Sequence, residues 1–343
     1  TFMVTTLTLA LIIMPMGINE MHSSCRVIEN GHGRGRDMVV VDWKTVSGDN
    51  AGEVHLPVTG KGRTGPVMIR LQAMEVLPTR HEWDTREWQW WKNAPFDPDQ
   101  MRPREVSVTT GGADVGPGGV RVWSRYLCDG IETTQEWFFA DLEHPDFAVY
   151  DCLTTVKNRR AQQLEEYGQF FACYTLLNGT QATKDKAAGH FYISHQGDLV
   201  NYRDVGSIHL EYYVTQAGSL FDRLGYIPHC PRGGGKVKDR WKYPVSISLP
   251  SPREFRHVVL TEQAHTAAIA QGMYGIAQDY LIYPTDGILA VDGVFSVHIR
   301  HLLVRIPAQE LLQRVDNLWS EFTNDHVRVH GLSRPVPTDK SNP

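Results

Sequence analysis

The chain has 343 residues, of which 41% are hydrophobic, and its 34 Lys and Arg residues against 39 Asp and Glu residues give a formal net charge of -5. This length allows one large core or two modest ones, and the lack of a basic excess argues against a dedicated nucleic-acid binder. Thirty glycines and 19 prolines, spread along the chain, exclude a long helical bundle and a low-complexity polymer.

The N-terminal segment Phe2–Met16 is the most apolar stretch of the chain. It is shorter than the roughly 20 residues that span a bilayer, so we expect no membrane span and favour a buried strand over the core of a signal peptide. Asn178-Gly179-Thr180 matches the acceptor pattern for an N-linked glycan. Together with the composition, this triplet favours a secreted or periplasmic protein.

Four of the nine tryptophans are concentrated in His81–Trp91. The segment reads as an irregular loop before Asn93–Pro98, and aromatic side chains on loops commonly stack on sugar rings. We therefore expect Trp88 and Trp90 to bind substrate. A small apolar cluster that fixes the loop, or a contact between subunits, is an equal alternative.

The segment Gly119–Cys128 alternates between two kinds of side chain. In a strand, Arg121, Trp123 and Arg125 share one face. Two guanidinium groups beside an indole can stack on a sugar and bind its carboxylate or sulfate. The alternative is a tryptophan covered by arginine stems on a solvent-facing strand.

The segment Gly189–Thr215 carries the densest set of candidate catalytic residues. Turns at Gln196-Gly197 and Asp204–Gly206 predict a meander of three strands. If its polar faces coincide, one surface combines proton donors, acceptors and an anion partner. An ordinary solvated face is the alternative. The set comprises His190, Tyr192, Asn201, Arg203, His209, Glu211 and Tyr213.

Near the C-terminus, Val294–Ile306 reads as a strand that places His298 and Arg300 on one side and His301 on the other. We expect the first two to bind substrate and His301 to be a hydrogen-bonded core residue. His209 and Glu211 resemble half of a metal site but lack further ligands at a suitable spacing. No metal ligands are therefore assigned, although a divalent metal is left open.

The five cysteines include no CxxC pair, which argues against a structural zinc site. Cys152 and Cys173 lie in consecutive strand-like segments. If these segments pair, the two sulfur atoms lie near each other and a disulfide is open. Two buried thiols are the alternative.

Runs of β-branched and aromatic residues recur along the whole chain, separated by Gly, Pro, Asn and Asp. This pattern predicts a mostly β protein, an antiparallel β-sandwich or jelly roll, formed as a single large domain over 1–343. Helical periodicity is convincing only in Pro307–Phe322, so residues 307–323 are predicted to form one amphipathic helix packed on the outside. Its expected apolar stripe is Leu311, Leu312, Val315, Leu318, Trp319 and Phe322.

These features favour a secreted carbohydrate-active enzyme that acts on an anionic polysaccharide or oligosaccharide without a cofactor. β-Elimination needs a group that neutralises the uronate, a base and an acid; in that order we assign Arg203 or Asn201, His209, and Tyr213 or Tyr192. Glycoside hydrolysis ranks second, because no second carboxylate accompanies Glu211. A non-catalytic carbohydrate-binding or structural, oligomer-forming sandwich is the competing class, and a His/Glu metal enzyme is the third.

Overall fold

A computed structural model of the chain describes residues 24–28, 38–44, 50–57, 60–63, 67–73, 77–90, 92, 105–116, 119–140, 147–176, 190–205, 212–227, 235–248, 255–272 and 277–332. Its described part is mostly β, with large antiparallel sheets and one long C-terminal helix. The fold class predicted from the sequence is thus confirmed. The apolar segment Phe2–Met16 and the Asn178 triplet lie outside the described residues.

The described part contains 23 strands and two α-helices. The first twelve strands are β1 (Ser24–Ile28), β2 (Met38–Lys44), β3 (Asn50–Pro57), β4 (Gly60–Arg63), β5 (Val67–Ala73), β6 (Leu77–Trp90), β7 (Glu105–Gly116), β8 (Gly119–Cys128), β9 (Ile131–Ala140), β10 (Phe147–Asn158), β11 (Leu164–Glu165) and β12 (Gly168–Leu176). The remaining elements are β13 (His190–Ile193), β14 (Leu199–Asn201), β15 (Tyr212–Thr215), α1 (Leu220–Leu224), β16 (Tyr226–Ile227), β17 (Gly235–Arg240), β18 (Val245–Ser248), β19 (Phe255–Thr261), β20 (Thr266–Gly272), β21 (Ala277–Ile282), β22 (Ile288–Leu289), β23 (Val294–Arg305) and α2 (Leu311–Leu332).

Most strands belong to one of two large sheets. The first has eleven strands in the order β1-β2-β3-β5-β6-β12-β21-β20-β15-β17-β16, and the second has ten in the order β14-β13-β18-β19-β23-β10-β9-β8-β7-β4. Among the described strands, β15 and β17 form the only parallel pair. The run β7 to β10 follows the chain as a meander, in which each strand pairs antiparallel with the next.

Side chains from the two sheets meet in a common interior. Gln169 on β12 donates a hydrogen bond from Nε2 to Oγ1 of Thr133 on β9, at 3.3 Å. The hydroxyl of Tyr192 on β13 donates to Oδ2 of Asp239 on β17. Trp137 on β9 is fully buried. These contacts between residues of different sheets give the protein its sandwich architecture.

Helix α2 packs its first three turns on the ten-stranded sheet. Leu311, Val315, Leu318 and Phe322 are buried at helical spacing, and they join one apolar cluster with residues of β18, β19 and β23. A second anchor is polar, since Asp316 accepts hydrogen bonds from the hydroxyl of Tyr243 and from Nζ of Lys242. The indole of Trp319 stacks on the Tyr243 ring, with centroids 4.7 Å apart.

The bounds of α2 differ from the predicted ones. Pro307 precedes a 3₁₀ turn at Ala308–Glu310, and the α-helix begins at Leu311 and continues to Leu332. The apolar period fades after Phe322, but no Gly or Pro interrupts the chain before Gly331, so the helix continues without an apolar stripe. Leu312, assigned to that stripe, is instead exposed.

One further sequence prediction is wrong. The tryptophan-rich segment is not an irregular loop but most of strand β6, which pairs with β5 and β12. No Gly or Pro occurs from Thr79 to Ala94, and tryptophan suits strands, so nothing ends the strand early. The strand pairing on which a Cys152–Cys173 disulfide depended is absent, because β10 and β12 belong to different sheets, and Cys152 is a buried free thiol, which agrees with the alternative.

Candidate functional site

The alternation predicted for β8 is present in the structure. Ser124, Tyr126 and Cys128 are buried between the sheets, whereas the side chains of Arg121 and Arg125, with 12% and 15% exposure, lie on the opposite face. Trp123 lies between these two arginines on that same face and is partly exposed. The guanidinium of Arg121 is 6.0 Å from the centre of the Trp123 ring.

The register of four neighbouring strands brings Trp123 and His298 into one row. Trp123 on β8 lies opposite Glu136 on β9, Glu136 opposite Leu153 on β10, and Leu153 opposite His298 on β23. Three strand spacings separate the ends of this row, or about 14 Å. We call this surface the polar face: it contains Arg121, Trp123, Arg125, Leu127, Glu132, Thr134, Glu136, Phe138, Asp151, Leu153, Thr155, Lys157, Val294, Ser296, His298 and Arg300.

Asp151 binds His298 and Arg300, the two residues of β23 for which substrate binding was predicted from the sequence. His298 Nε2 lies 2.5 Å from Asp151 Oδ1, and Arg300 donates from Nε to Oδ1 at 2.8 Å and from Nη2 to Oδ2 at 3.3 Å. Burial alone raises the pKa of Asp151, but the hydrogen bonds and charges of His298 and Arg300 outweigh it and leave that pKa below its usual value. An ionised carboxylate only accepts hydrogen bonds, so the hydrogen lies on Nε2 of His298.

Helix α2 covers this group of three residues. The rings of Phe322 and His298 have centroids 4.7 Å apart, and the guanidinium of Arg300 lies 5.8 Å from the Phe322 ring centre. From the other side, Glu262 Oε2 accepts a hydrogen bond from the backbone N–H of His298 at 3.2 Å. Asp151, His298 and Arg300 are all buried as a result.

Glutamates on β9 organise the arginines of β8. Arg121 donates to Glu136 Oε2 from Nη2 at 2.6 Å and from Nε at 2.9 Å. Arg125 lies farther from its carboxylate, with 4.0 Å between Nε and Glu132 Oε1. Glu132 accepts its shorter hydrogen bonds, of 3.0 to 3.3 Å, from Arg159. These ion pairs fix the guanidinium groups that flank Trp123.

The catalytic set proposed on Gly189–Thr215 does not form one surface. Strand β13 pairs with β14 in the ten-stranded sheet, but β15 lies in the eleven-stranded sheet, so the predicted three-strand meander is wrong. Asn201 lies opposite Phe191, which puts it on the face away from His190 and Tyr192. The five-residue connection between β13 and β14 sets this register, and the sequence pattern did not reveal it.

The described members of that set are in environments unlike an open groove. His190 is buried between the sheets, and burial lowers its pKa to about 3, so it is neutral at physiological pH. Burial, and then the hydrogen bond to Asp239, raise the pKa of Tyr192, which therefore keeps its proton. Tyr213, 1% exposed, packs in an apolar cluster with Phe221. The pairing of β15 with β17 shifts register right after Tyr213, which breaks the simple alternation.

Several predicted residues cannot be placed in the site. His209 and Glu211 lie outside the described residues, as do the side chains of Trp88, Trp90 and Arg203. Arg203 belongs to a 3₁₀ turn at Tyr202–Val205 rather than to a strand. β6, which carries the two tryptophans, is in the eleven-stranded sheet, apart from Trp123. Their roles in binding or catalysis stay predictions.

Three carboxylates of the polar face escaped the sequence reasoning. Glu132 and Glu136 alternate with Thr134 on β9, and Asp151 is the only charged residue in the run Phe147–Val156. A lone acid in an apolar strand is a signal that could have identified Asp151. Glu136 and Asp151 are diagonal neighbours, about 7–8 Å apart at the backbone. Both accept hydrogen bonds from arginine, and Asp151 stays ionised, so Asp151 is not the carboxylic acid that hydrolysis needs.

In the described part of the chain, no group of three or more His, Cys, Asp or Glu side chains is arranged to hold a metal ion. Likewise, no described helix is both long enough and apolar enough to cross a membrane.

No known protein family matches the sequence, and no curated protein matches it either. Several solved structures resemble the fold weakly. The Slr1438 protein of Synechocystis sp. PCC 6803 is 10% identical, with 75% of this chain and 93% of that chain covered and a TM-score of 0.40. The α-N-acetylgalactosaminidase NagBb of Bifidobacterium bifidum is 10% identical, with 83% and 39% covered and a TM-score of 0.43. The galactose 1-epimerase of Lactobacillus acidophilus NCFM is 8% identical, with 83% and 100% covered and a TM-score of 0.30. The last two are named as enzymes that act on carbohydrates, but similarity this weak does not assign their activities to this chain.

Proposed function

We propose that the protein binds an anionic polysaccharide on the polar face, with Trp123 as the stacking platform. The observation that carries the proposal is the arrangement of Arg121, Trp123 and Arg125 on one strand face, held in place by two glutamates. An indole packs against the apolar face of a sugar ring. Guanidinium groups beside it recognise carboxylate or sulfate with directed hydrogen bonds. Such polymers lie outside the cell, so the proposal extends to a secreted or periplasmic location.

The chemistry we propose for this site is β-elimination, and the pairing of Asp151 with His298 favours it. Asp151 fixes the tautomer of His298, which leaves Nδ1 as the basic nitrogen that takes the proton next to a uronate carboxylate. The electron pair of that C–H bond forms the new double bond as the bond from the neighbouring carbon to the glycosidic oxygen breaks, and protonated His298 returns the proton to that oxygen. Arg300, on the same side of the strand, supplies positive charge to the developing enolate. Phe322 lies at the end of the part of α2 that packs on the sheet, and its ring covers His298. Substrate can therefore reach His298 only if this turn of the helix moves away.

The binding claim is tested with purified protein and a panel of polymers: polygalacturonate, dextran sulfate and neutral dextran. We expect affinity for the two anionic polymers and none for dextran, measured by calorimetry. Trp123→Ala removes the platform and weakens binding between about tenfold and about 100-fold, which corresponds to burial of one large side chain. Leu224→Ala is the matched control, because Leu224 is 37% exposed and lies on α1, outside the polar face. Equal affinity of wild type and Trp123→Ala contradicts the proposal.

The same polymers separate an enzyme from a non-catalytic binding protein. His298→Gln retains affinity but loses at least about 100-fold in turnover if His298 is the base. Unsaturated uronate, followed by its ultraviolet absorbance, identifies elimination, and new reducing ends without it identify hydrolysis. His195→Gln is the control, since His195 is exposed and away from the polar face. Binding without any product identifies the protein as a carbohydrate-binding module.

A further inference from the structure

The polar face ends in a cluster of cations around one carboxylate. Glu132 on β9 lies directly opposite Lys157 on β10. Its carboxylate nevertheless binds Arg159, with Nη2 3.0 Å from Oε1 and 3.1 Å from Oε2, and lies 4.0 Å from Nε of Arg125. We call Arg125, Lys157 and Arg159 the basic cluster.

Lys157 differs from Arg125 and Arg159 in having no ion pair among the described residues. It is half-buried, and none of the ion pairs or hydrogen bonds among the described residues involves its ammonium group. Glu132, which lies opposite Lys157 in the sheet, forms its ion pair with Arg159 instead. A half-buried ammonium group on the same side of the strand as Arg159, with its cross-strand carboxylate already bound, is well placed to receive an external anion.

The charge count leaves this end of the face positive. Arg125, Lys157 and Arg159 lie near Glu132, and Asp292 precedes the Gly293 carbonyl that accepts a hydrogen bond from Asn158, so three cations against two carboxylates give a local excess of one positive charge. The adjacent turn adds no net charge, because Asp129 is matched by Arg160, which bonds to the backbone carbonyl of Asp129 at 2.6 Å. A site with this excess and directed donors favours a carboxylate or sulfate group over a neutral ligand.

The distance to Trp123 indicates the size of the ligand. Lys157 lies two strands across and four residues along from Trp123, which places their backbones about 16 Å apart. One sugar ring does not span that distance. A ligand that reaches both sites is therefore a chain of several sugars.

We propose that Lys157, with Arg125 and Arg159 beside it, is a second subsite that binds a carboxylate or sulfate group on a sugar farther along the same polymer chain. The inference rests on the proposed function, since it needs a polysaccharide on Trp123. It adds that binding depends on oligomer length and on a cation distant from the aromatic platform. The two anionic groups share one chemistry, and the polymers of the test distinguish them.

The test compares Lys157→Gln, Lys157→Arg and the control Lys236→Gln, which removes one exposed charge from β17 of the other sheet. Binding is measured to dextran sulfate, polygalacturonate, galacturonic acid, inorganic sulfate and a double-stranded DNA fragment. We expect Lys157→Gln to weaken binding of the preferred polymer about tenfold, and the other two variants to bind within about twofold of wild type. The polymer that loses more affinity identifies the anionic group. Galacturonic acid and inorganic sulfate should bind far more weakly than either polymer.

The results distinguish this inference from the function on which it rests. If Trp123→Ala weakens binding and Lys157→Gln does not, the subsite is wrong and the carbohydrate site stands. If wild type binds neither polymer, the proposed function fails. DNA binding as tight as polymer binding, and equally sensitive to Lys157→Gln, overturns the assignment to sugars. Equal melting temperatures of the variants confirm that affinity, rather than folding, has changed.

Discussion

Asp151→Asn is the perturbation that most clearly tests the buried part of the polar face. The substitution keeps the shape of the side chain but removes the charge that accepts hydrogen bonds from His298 and Arg300. The Arg300 side chain is only 8% exposed, so its charge is left buried without its carboxylate partner. Breaking a buried ion pair in this way destabilises proteins by about 3–5 kcal/mol. We expect that loss in the free energy of unfolding.

The assay is urea unfolding at pH 7, followed by circular dichroism. Glu165→Gln is the control, because it breaks a surface ion pair with Lys92 in which both side chains are more than half exposed, and it should cost about 0–1 kcal/mol. The pKa of Asp151 is below its usual value, so its stabilising effect is present above the unfolded pKa of about 3.9 and is lost as the pH falls through the folded pKa. The difference in the free energy of unfolding between wild type and Asp151→Asn should therefore become smaller below about pH 4. A loss under 1 kcal/mol at pH 7, or a difference that stays constant in acid, refutes the reasoning.

Three other predictions concern the core. Phe322→Ala should lower stability by about 3–5 kcal/mol in urea unfolding, whereas Glu321→Ala, on the exposed side of α2, should leave it within about 0.5 kcal/mol; equal losses contradict the packing. Burial raises the pKa of Cys152 to about 12, so iodoacetamide should label Cys152 in urea but not in native protein, as read by peptide mass. Burial lowers the pKa of His190 to about 3, so the unfolded chain takes up a proton below about pH 6.5 that the folded chain does not. Between pH 6.5 and pH 4 the melting temperature of His190→Gln should therefore fall less than that of wild type. If both melting temperatures fall equally with pH, His190 does not have the lowered pKa.

The sequence was sufficient for the fold class because the relevant signals are local. Alternation within Gly119–Cys128 correctly separated Arg121, Trp123 and Arg125 from the buried side of β8. The same reasoning put His298 and Arg300 on one side of β23, where the structure has them. In each case one strand carried all the information that the prediction needed.

The sequence pattern could not predict which strands pair or in which register. That β15 pairs in a different sheet from β13 and β14 is a long-range property, and the hairpin register that turns Asn201 away from Tyr192 depends on the turn geometry. The bulge after Tyr213 adds a local irregularity that alternation cannot predict. For the same reason, the pairing of Asp151 with His298 joins residues 147 positions apart and became visible only in the structure.

Amide hydrogen exchange with and without a saturating anionic polymer tests the central claim most directly, because it locates the binding surface without assuming any activity. The polar face predicts added protection in β8, β9 and β10, over Gly119–Cys128, Ile131–Ala140 and Phe147–Asn158, and none in β15 to β17 of the other sheet. Neutral dextran should change nothing. Protection confined to the eleven-stranded sheet, or no protection with any anionic polymer, would contradict the account.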